Sequence, residues 1–475
     1  MRRLVLLAFL TTPAALVGQT APLSAADSAF VGRILIAEDR RDTTDAALSE
    51  GLRHSDPRIR TLARRARDRI VDPQFAARDS LAPLPPPPSH VDPAWRLRYR
   101  ALAAKRTDCG ALRAALADSV WPVRLRAADL TPAECAADDA LASVLRGWVD
   151  ALPANAARRK AGGVSWHAAA HAAVALARLR PHEARPRVRR LARHRQWQVR
   201  AYAARAAAVL ADTVRLRAFA RDPDDNVKEI AIDALAKLTG HADDDVFLSA
   251  LRARGAQAVR AAAIALKGSP RADVALAANA AFERWLARGS ASERDVRVAL
   301  LEAAGRPASD DRPPPGRVEL PLRAVPLALG EEVRLRVRIA PASGGGSFVV
   351  RLRGDVAPMM AARVLALARE RYYDGTSWHR VEHDFVIQGG GPGANEYVGH
   401  PRFFRDELGT VPHVRGTVGM STRGHDTGDA QWFINLKDNL RLNRDYTVFA
   451  EVVDGIEVVD GILEGDVIAG IEELR

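Results

Sequence analysis

The sequence predicts a multidomain chain, an all-α repeat solenoid followed by a closed antiparallel β-barrel with a few helices. Two observations carry that prediction. A short apolar–basic–small pattern recurs through the first 306 residues, and after a Pro-rich break the hydrophobic period changes from helical to alternating. A length of 475 residues suits two or three domains at ~100–200 residues each. Hydrophobic residues at 48% and charged residues at 27% exclude a wholly disordered protein. Aromatics are only 5%, and the apolar share is carried by Ala, Leu and Val, which suits closely packed helices.

Residues 1–26 read as a signal peptide. Arg2 and Arg3 precede the apolar run Leu4 to Leu10, followed by Thr-Thr-Pro and the small-residue stretch AALVG. That run is far shorter than the ~20 residues a transmembrane helix needs. Cleavage is expected between Gly18 and Ala26, giving an exported chain, periplasmic or extracellular, with no membrane span after cleavage. Cys109 and Cys135 are the only cysteines. In an exported chain they form one disulfide or stay as two buried thiols, and the spacing alone leaves both open.

Residues 27–306 read as helical repeats. An apolar residue is followed by a basic one, then by small or apolar residues four and seven positions on. Copies start at Ile59-Arg60, Leu97-Arg98, Val123-Arg124, Val199-Arg200, Val227-Lys228, Val259-Arg260 and Val296-Arg297, with a weaker one at Val164. Offsets of four and seven put the apolar positions on one helical face. Asp or Asp-Pro often precedes the pattern, as in HSDPRIR and RDPDDNVK, where it breaks one helix and caps the next. Helix pairs of this kind bury their apolar faces only by stacking. The series resembles the HEAT repeat family, which implies a solenoid used for contact with a protein partner and carries no catalytic residues.

Up to residue 330 the formal charge is a net +17, and beyond it a net −5. A basic solenoid invites a nucleic-acid reading. The basic residue after each anchor has a better use in pairing with a neighbouring repeat's Asp, so no nucleic acid is expected. His167 and His171 have helical metal-ligand spacing, but AAAHAAVALARL is a packing helix with no third ligand. The run PLPPPPS at 83–89 reads as a stiff insert.

Residues 307–330, opening with PASDDRPPPGR, read as a linker. Then VRLRVRIA and SFVVRLRG alternate as strands, Ala357-Pro358 opens a helix, and short strand units follow, broken by Gly, Pro, Asn and Asp. Within residues 331–475 four blocks stand in order: APMMAARVLALARERYYDGTSWHRVEHDFVIQGGGPG, DELGTVPHVRGTVGMS, DAQWFINL and LNRDYTVFAEVVDGIEVVDGI. Together they resemble the cyclophilin family. The resemblance implies a cyclophilin-like eight-stranded closed barrel with two capping helices, and peptidyl-prolyl cis–trans isomerisation of proline-containing polypeptides.

The chemistry implied needs no cofactor and no metal. Rotation about an X-Pro bond meets a barrier near ~18–20 kcal/mol, and a catalyst must stabilise the twisted amide with a placed donor and an apolar slot. By the resemblance, Arg380 is the donor, with Phe385 and Gln388 beside it; Gln388 binds the substrate carbonyl and braces Arg380. Val386, Phe433, Leu442 and Tyr446 line the ring pocket, while Ser421, Thr422 and Gln431 hold the peptide. Departures from the common pattern are Trp378, Val386, Thr422, Arg441 and Tyr446; the last two are similar to bacterial members. The competing reading is a scaffold whose barrel only binds Pro-containing peptides. His379 to His383 also fits H-x-x-E-H, but that motif needs a helix, and here it precedes the strand FVIQGG. GGGPG at 389–393 lacks the strand–helix setting of a phosphate loop.

Overall fold

The computed structural model describes residues 23–72, 89–153, 166–312 and 323–474. Most of the leader, most of the Pro-rich insert, Val164 of the weaker copy and residues 313–322 of the linker lie outside the described residues. No described helix is long and apolar enough to cross a membrane.

Six of the seven anchors, from Ile59 to Val296, are buried at 0–1% exposure. Leu97 is the exception, at 67%. The helix Trp95–Ala104 turns Arg96 and Leu102 inward in its place, because Arg96 is drawn to a carboxylate of the barrel, described below. Asp side chains cap helices as their positions suggest: Asp56 accepts from Arg58 N at 2.8 Å and Asp224 from Asn226 N at 2.9 Å. The basic residue after the anchor pairs forward in three copies, Arg98 with Asp118 at 2.7 Å, Arg200 with Asp222 at 2.8 Å and Arg297 with Asp311 at 2.6 Å. These three arginines are thereby committed within the stack.

Cys109, opening the helix Cys109–Ala115, and Cys135 form a disulfide across a Cα separation of 5.5 Å and 26 residues of chain. Closing a loop of that length is worth about 3 kcal/mol in the chain-entropy view. The double variant Cys109→Ser/Cys135→Ser is expected to lose about that much stability in urea unfolding.

The C-terminal part is one antiparallel sheet of eight strands: β1 (Arg334–Ile339), β2 (Ser347–Leu352), β3 (Arg380–Val381), β4 (Val386–Gly389), β5 (Thr417–Met420), β6 (Trp432–Asn435), β7 (Val448–Asp454) and β8 (Ile468–Leu474). Their order is β3-β4-β6-β5-β7-β2-β1-β8. The sheet curls until its ends meet, where Ser377 bridges Val467 and Trp378 N donates to Asp466 O at 2.9 Å. The helix Pro358–Arg369 covers one mouth, its first-turn amides of Met359 and Met360 donating to Glu407 at 3.2 and 2.7 Å.

The two parts are docked. The helices Trp166–Leu179, Trp197–Val209, Asp225–Thr239, Ala256–Leu266 and Arg294–Ala303 pack in sequence into a row. Residues along that row reach the barrel: Tyr202 Oη donates to Glu464 at 2.7 Å, Asn226 Nδ2 to Gly393 O at 3.1 Å, and Asp295 accepts from Arg423. The first helices, Ala25–Arg40 and Pro57–Val71, share a continuous apolar core with the barrel through the short helix Ala324–Ala328.

Candidate active site

Strand register assembles the site. Arg380 on β3 lies directly opposite Gln388 on β4, Gln388 opposite Phe433 on β6, and Phe433 opposite Gly419 on β5. Opposed residues share a face of the sheet, so one row carries the arginine, the amide and the aromatic ring. Gly419 is demanded by that row, since a Cβ there would stand 2.4 Å from the Phe433 ring. Val386, Phe433 and Leu442 form a small apolar cluster with Phe385 and Tyr446 packed against it.

The resulting groove, of about 150 Å³, is lined by Arg380, Phe385, Val386, Gln388, Ser421, Thr422, Phe433, Leu442 and Tyr446, with Glu396 added. Nine of the ten residues singled out in the sequence therefore meet in one place. Gln431 is the tenth and lies beneath: it is 1% exposed, and its amide donates to the carbonyls of Glu396 and Val398 at 3.2 and 3.3 Å.

Arg380 is held differently from the expectation. Its Nε and Nη2 donate to Glu382 Oε1 at 2.8 and 2.5 Å, and Glu396 stands 4.0 Å from Nη1. Gln388, though opposite, is not its brace in this structure. Glu382 lies two residues along the same extended chain, so its side chain falls on the arginine's face. A guanidinium has five N–H donors, and this arrangement fixes its plane while leaving Nη1 for a substrate. Arg380 and Arg441 both stack over Phe385, at 5.7 and 4.4 Å.

Behind the slot, His413 stacks on Phe433 at 5.7 Å. Its Nδ1 accepts from Asn435 at 3.1 Å, and its Nε2 donates to Tyr446 O at 3.1 Å. Burial pushes its pKa down to about 4, so the ring is neutral and braces the pocket wall. Its imidazole signals are expected to show no titration above about pH 5 when followed by NMR.

The turn between β3 and β4 is gripped by the helical stack. Arg100 Nε donates to Asp384 at 2.5 Å, and His383 packs edge-on against Trp95 and Tyr99 at 5.6 and 5.9 Å. The H-x-x-E-H residues thus lie on a strand and turn and not on a helix. His167 and His171 are likewise engaged: His167 Nε2 bonds Glu464 O at 2.6 Å, while His171 contacts Asp129 at 2.6 Å and Tyr202 Oη at 3.0 Å. Gly390, at φ +88, passes so close to Trp432 that a Cβ would meet its Nε1 at 2.8 Å, which accounts for the glycine run.

A guanidinium beside an apolar, aromatic slot on the flank of a curled antiparallel barrel is the equipment of a catalyst of prolyl-bond rotation. Residues 336–471 match the family described as cyclophilin type peptidyl-prolyl cis-trans isomerase/CLD. A peptidyl-prolyl cis-trans isomerase of Helicobacter pylori (strain ATCC 700392 / 26695) is 33% identical over 130 residues, 26% of this chain and 80% of that protein. Peptidyl-prolyl cis-trans isomerase B of Escherichia coli (strain K12) is 38% identical over 128 residues, 25% of this chain and 78% of that protein. The crystal structure of a cyclophilin type isomerase from Cryptosporidium parvum aligns at 24% identity and a TM-score of 0.29, over 30% of this chain and 99% of that one. The chain belongs to the cyclophilin-type peptidyl-prolyl cis-trans isomerase family, and its barrel is the isomerase.

Proposed function

We propose that this chain is an exported prolyl isomerase acting on X-Pro bonds of exported proteins, with a HEAT-type solenoid that engages the client or a protein partner. The convergence of nine assigned residues on one groove carries the reading. Arg380 donates to the prolyl amide as it twists, when the nitrogen has lost conjugation and gained a lone pair. Phe385, Val386, Phe433, Leu442 and Tyr446 take the proline ring. Gln388 binds the substrate carbonyl, and Ser421 and Thr422 face the peptide backbone. Gln431 acts from below by holding the loop that carries Glu396. Export is supported by the leader sequence and by the disulfide, a bond that persists in oxidising compartments.

The test is isomerisation of an X-Pro peptide by the whole disulfide-bonded chain. Acceleration above the uncatalysed rate, reading out at a rate proportional to enzyme, is the expected result. A folded chain that binds the peptide without accelerating it would instead be the scaffold.

A further inference from the structure

A second cavity, of about 360 Å³, lies between the helical row and the barrel. The helical side contributes Trp197, Arg205 and Glu229, and the barrel side Glu396, Glu464 and Arg380. Arg380 and Glu396 line the proline groove as well, so the cleft continues the active site. A polypeptide leaving the groove on the Glu396 side would have the helical row as its opposite wall.

The charges in this cleft are unevenly satisfied. Arg380 is spoken for by Glu382. Arg205 lies over the Tyr202 ring at 4.4 Å, and Glu464 accepts from Tyr202 Oη at 2.7 Å. Glu229 has only a 3.9 Å contact with Arg260, which itself stacks on Tyr397 at 3.9 Å. Glu396 has only the 4.0 Å contact with Arg380. Two carboxylates therefore face the cleft with no cation nearer than 3.9 Å and none in hydrogen-bond reach. His379, lining the same cleft, has both ring nitrogens shut off from solvent and without a hydrogen bond of ordinary geometry. The backbone under Glu396 is nevertheless fixed: Arg423 donates to its carbonyl while bonding Asp429 at 2.9 Å and Asp295 of the helical row. A pocket with a held loop and two carboxylates only loosely paired can take a further cation.

We propose that the cleft is a subsite for a basic side chain, Lys or Arg, of the client polypeptide near the isomerised proline, built by Glu229 of the helical row and Glu396 of the barrel. The helical row thereby sets substrate preference directly, as a wall of the active site. Burial raises the Glu229 pKa to about 7, with Asp233 and Glu396 pushing the same way and Arg260 opposing. A bound cation would draw that carboxyl back to its charged form.

This rests on the isomerase reading, and one experiment separates the two. Peptides with Lys, Ala or Glu scanned over the positions on both sides of Pro are assayed with the whole chain, with Glu229→Gln and with Glu229→Lys. At one position kcat/KM for Lys is expected to exceed that for Ala roughly tenfold, the scale of one charge-assisted bond. In Glu229→Gln the Lys/Ala ratio falls toward one, and in Glu229→Lys the preference passes to Glu; the second variant, read as a ratio within one protein, guards against loss of folded enzyme. In the unsubstituted chain the ratio also falls as pH drops below about 7. Turnover of every peptide with equal Lys and Ala values overturns the subsite and leaves the isomerase standing. No turnover of any peptide overturns both.

Discussion

Arg380→Ala, made in the whole chain, is expected to lower kcat/KM for an X-Pro peptide roughly a hundredfold to a thousandfold, the usual loss when one donor aimed at a transition state is removed. The reason for so large an effect is the simplicity of the reaction. Bond rotation asks for no proton transfer and no covalent intermediate, so few groups can share the work. The ground-state amide nitrogen is a poor acceptor; only as the C–N bond twists does its lone pair become available. A donor placed there is felt in the transition state far more than in the bound substrate, and its loss falls on kcat. Arg380→Lys is expected to recover little. The two bonds to Glu382, at 2.8 and 2.5 Å, use the planar fork of Nε and Nη2, and an ammonium cannot reproduce that fork while presenting a third N–H outward. Assay of both variants beside the parent checks this; a lysine variant at near-parental rate would mean that charge alone, not the held plane, does the catalysis.

The groove was legible through the resemblance of four short blocks to the cyclophilin family, which supplies the residue roles, and the spacing within each block follows local strand and turn geometry. Arg380, Phe385, Val386 and Gln388 all fall within one hairpin, and the register that aligns Arg380 with Gln388 follows from the turn between them. Glu382 falls on the arginine's face by the same period-two argument, but nothing in the sequence distinguishes it from a solvated carboxylate on a strand edge. Glu396 had no such signal: it lies on a loop whose position depends on Arg423, Gln431 and Asp295 from three different segments. The helical anchors were readable from a repeated pattern, with 0–1% exposure at six of seven. Leu97 failed because helical periodicity assumes that apolar residues choose the buried face. In that helix a charge chose it: Arg96 turns in toward the barrel, and the side chains beside it follow. Docking of the two parts was illegible for the same reason. Apart from the apolar core shared by the first helices, it rests on single polar residues, Arg96, Arg100, His167, Tyr202 and Asn226, each of which looks like ordinary surface until its partner 167 to 364 positions away is known.

The strongest of those contacts leads to the second large effect. Asp460 ends the short helix Ile456–Asp460 and accepts from Arg415 at 2.9 and 2.8 Å and from Arg96 at 2.8 Å. Arg96 is 0% exposed and Asp460 only 7%. Both arginines also donate to the carbonyl of Leu436, the Arg415 bond measuring 3.0 Å. Removing the one carboxylate leaves two guanidinium groups buried with carbonyl partners but little compensating charge, Asp92 at 2.7 Å from Arg96 being the remainder. Breaking a buried pair in this way costs about 3–5 kcal/mol, because the stranded charge keeps its desolvation penalty. Asp460→Ala is therefore expected to lower the stability of the whole chain by about that amount in denaturant unfolding. Arg96→Met, which keeps the stem and discards the charge, should cost far less, since Asp460 retains Arg415. A double-mutant cycle between the two positions then isolates the interdomain share. Coupling near zero would mean that Arg415 alone satisfies Asp460 and that the helix Trp95–Ala104 is held by its other contacts. A coupling above about 1 kcal/mol would make this buried triad a principal clasp between the helix Trp95–Ala104 and the barrel. The clasp stands close to function as well as stability: Asp460 lies on the helix that precedes the turn carrying Glu464, a residue of the cleft beside Arg380.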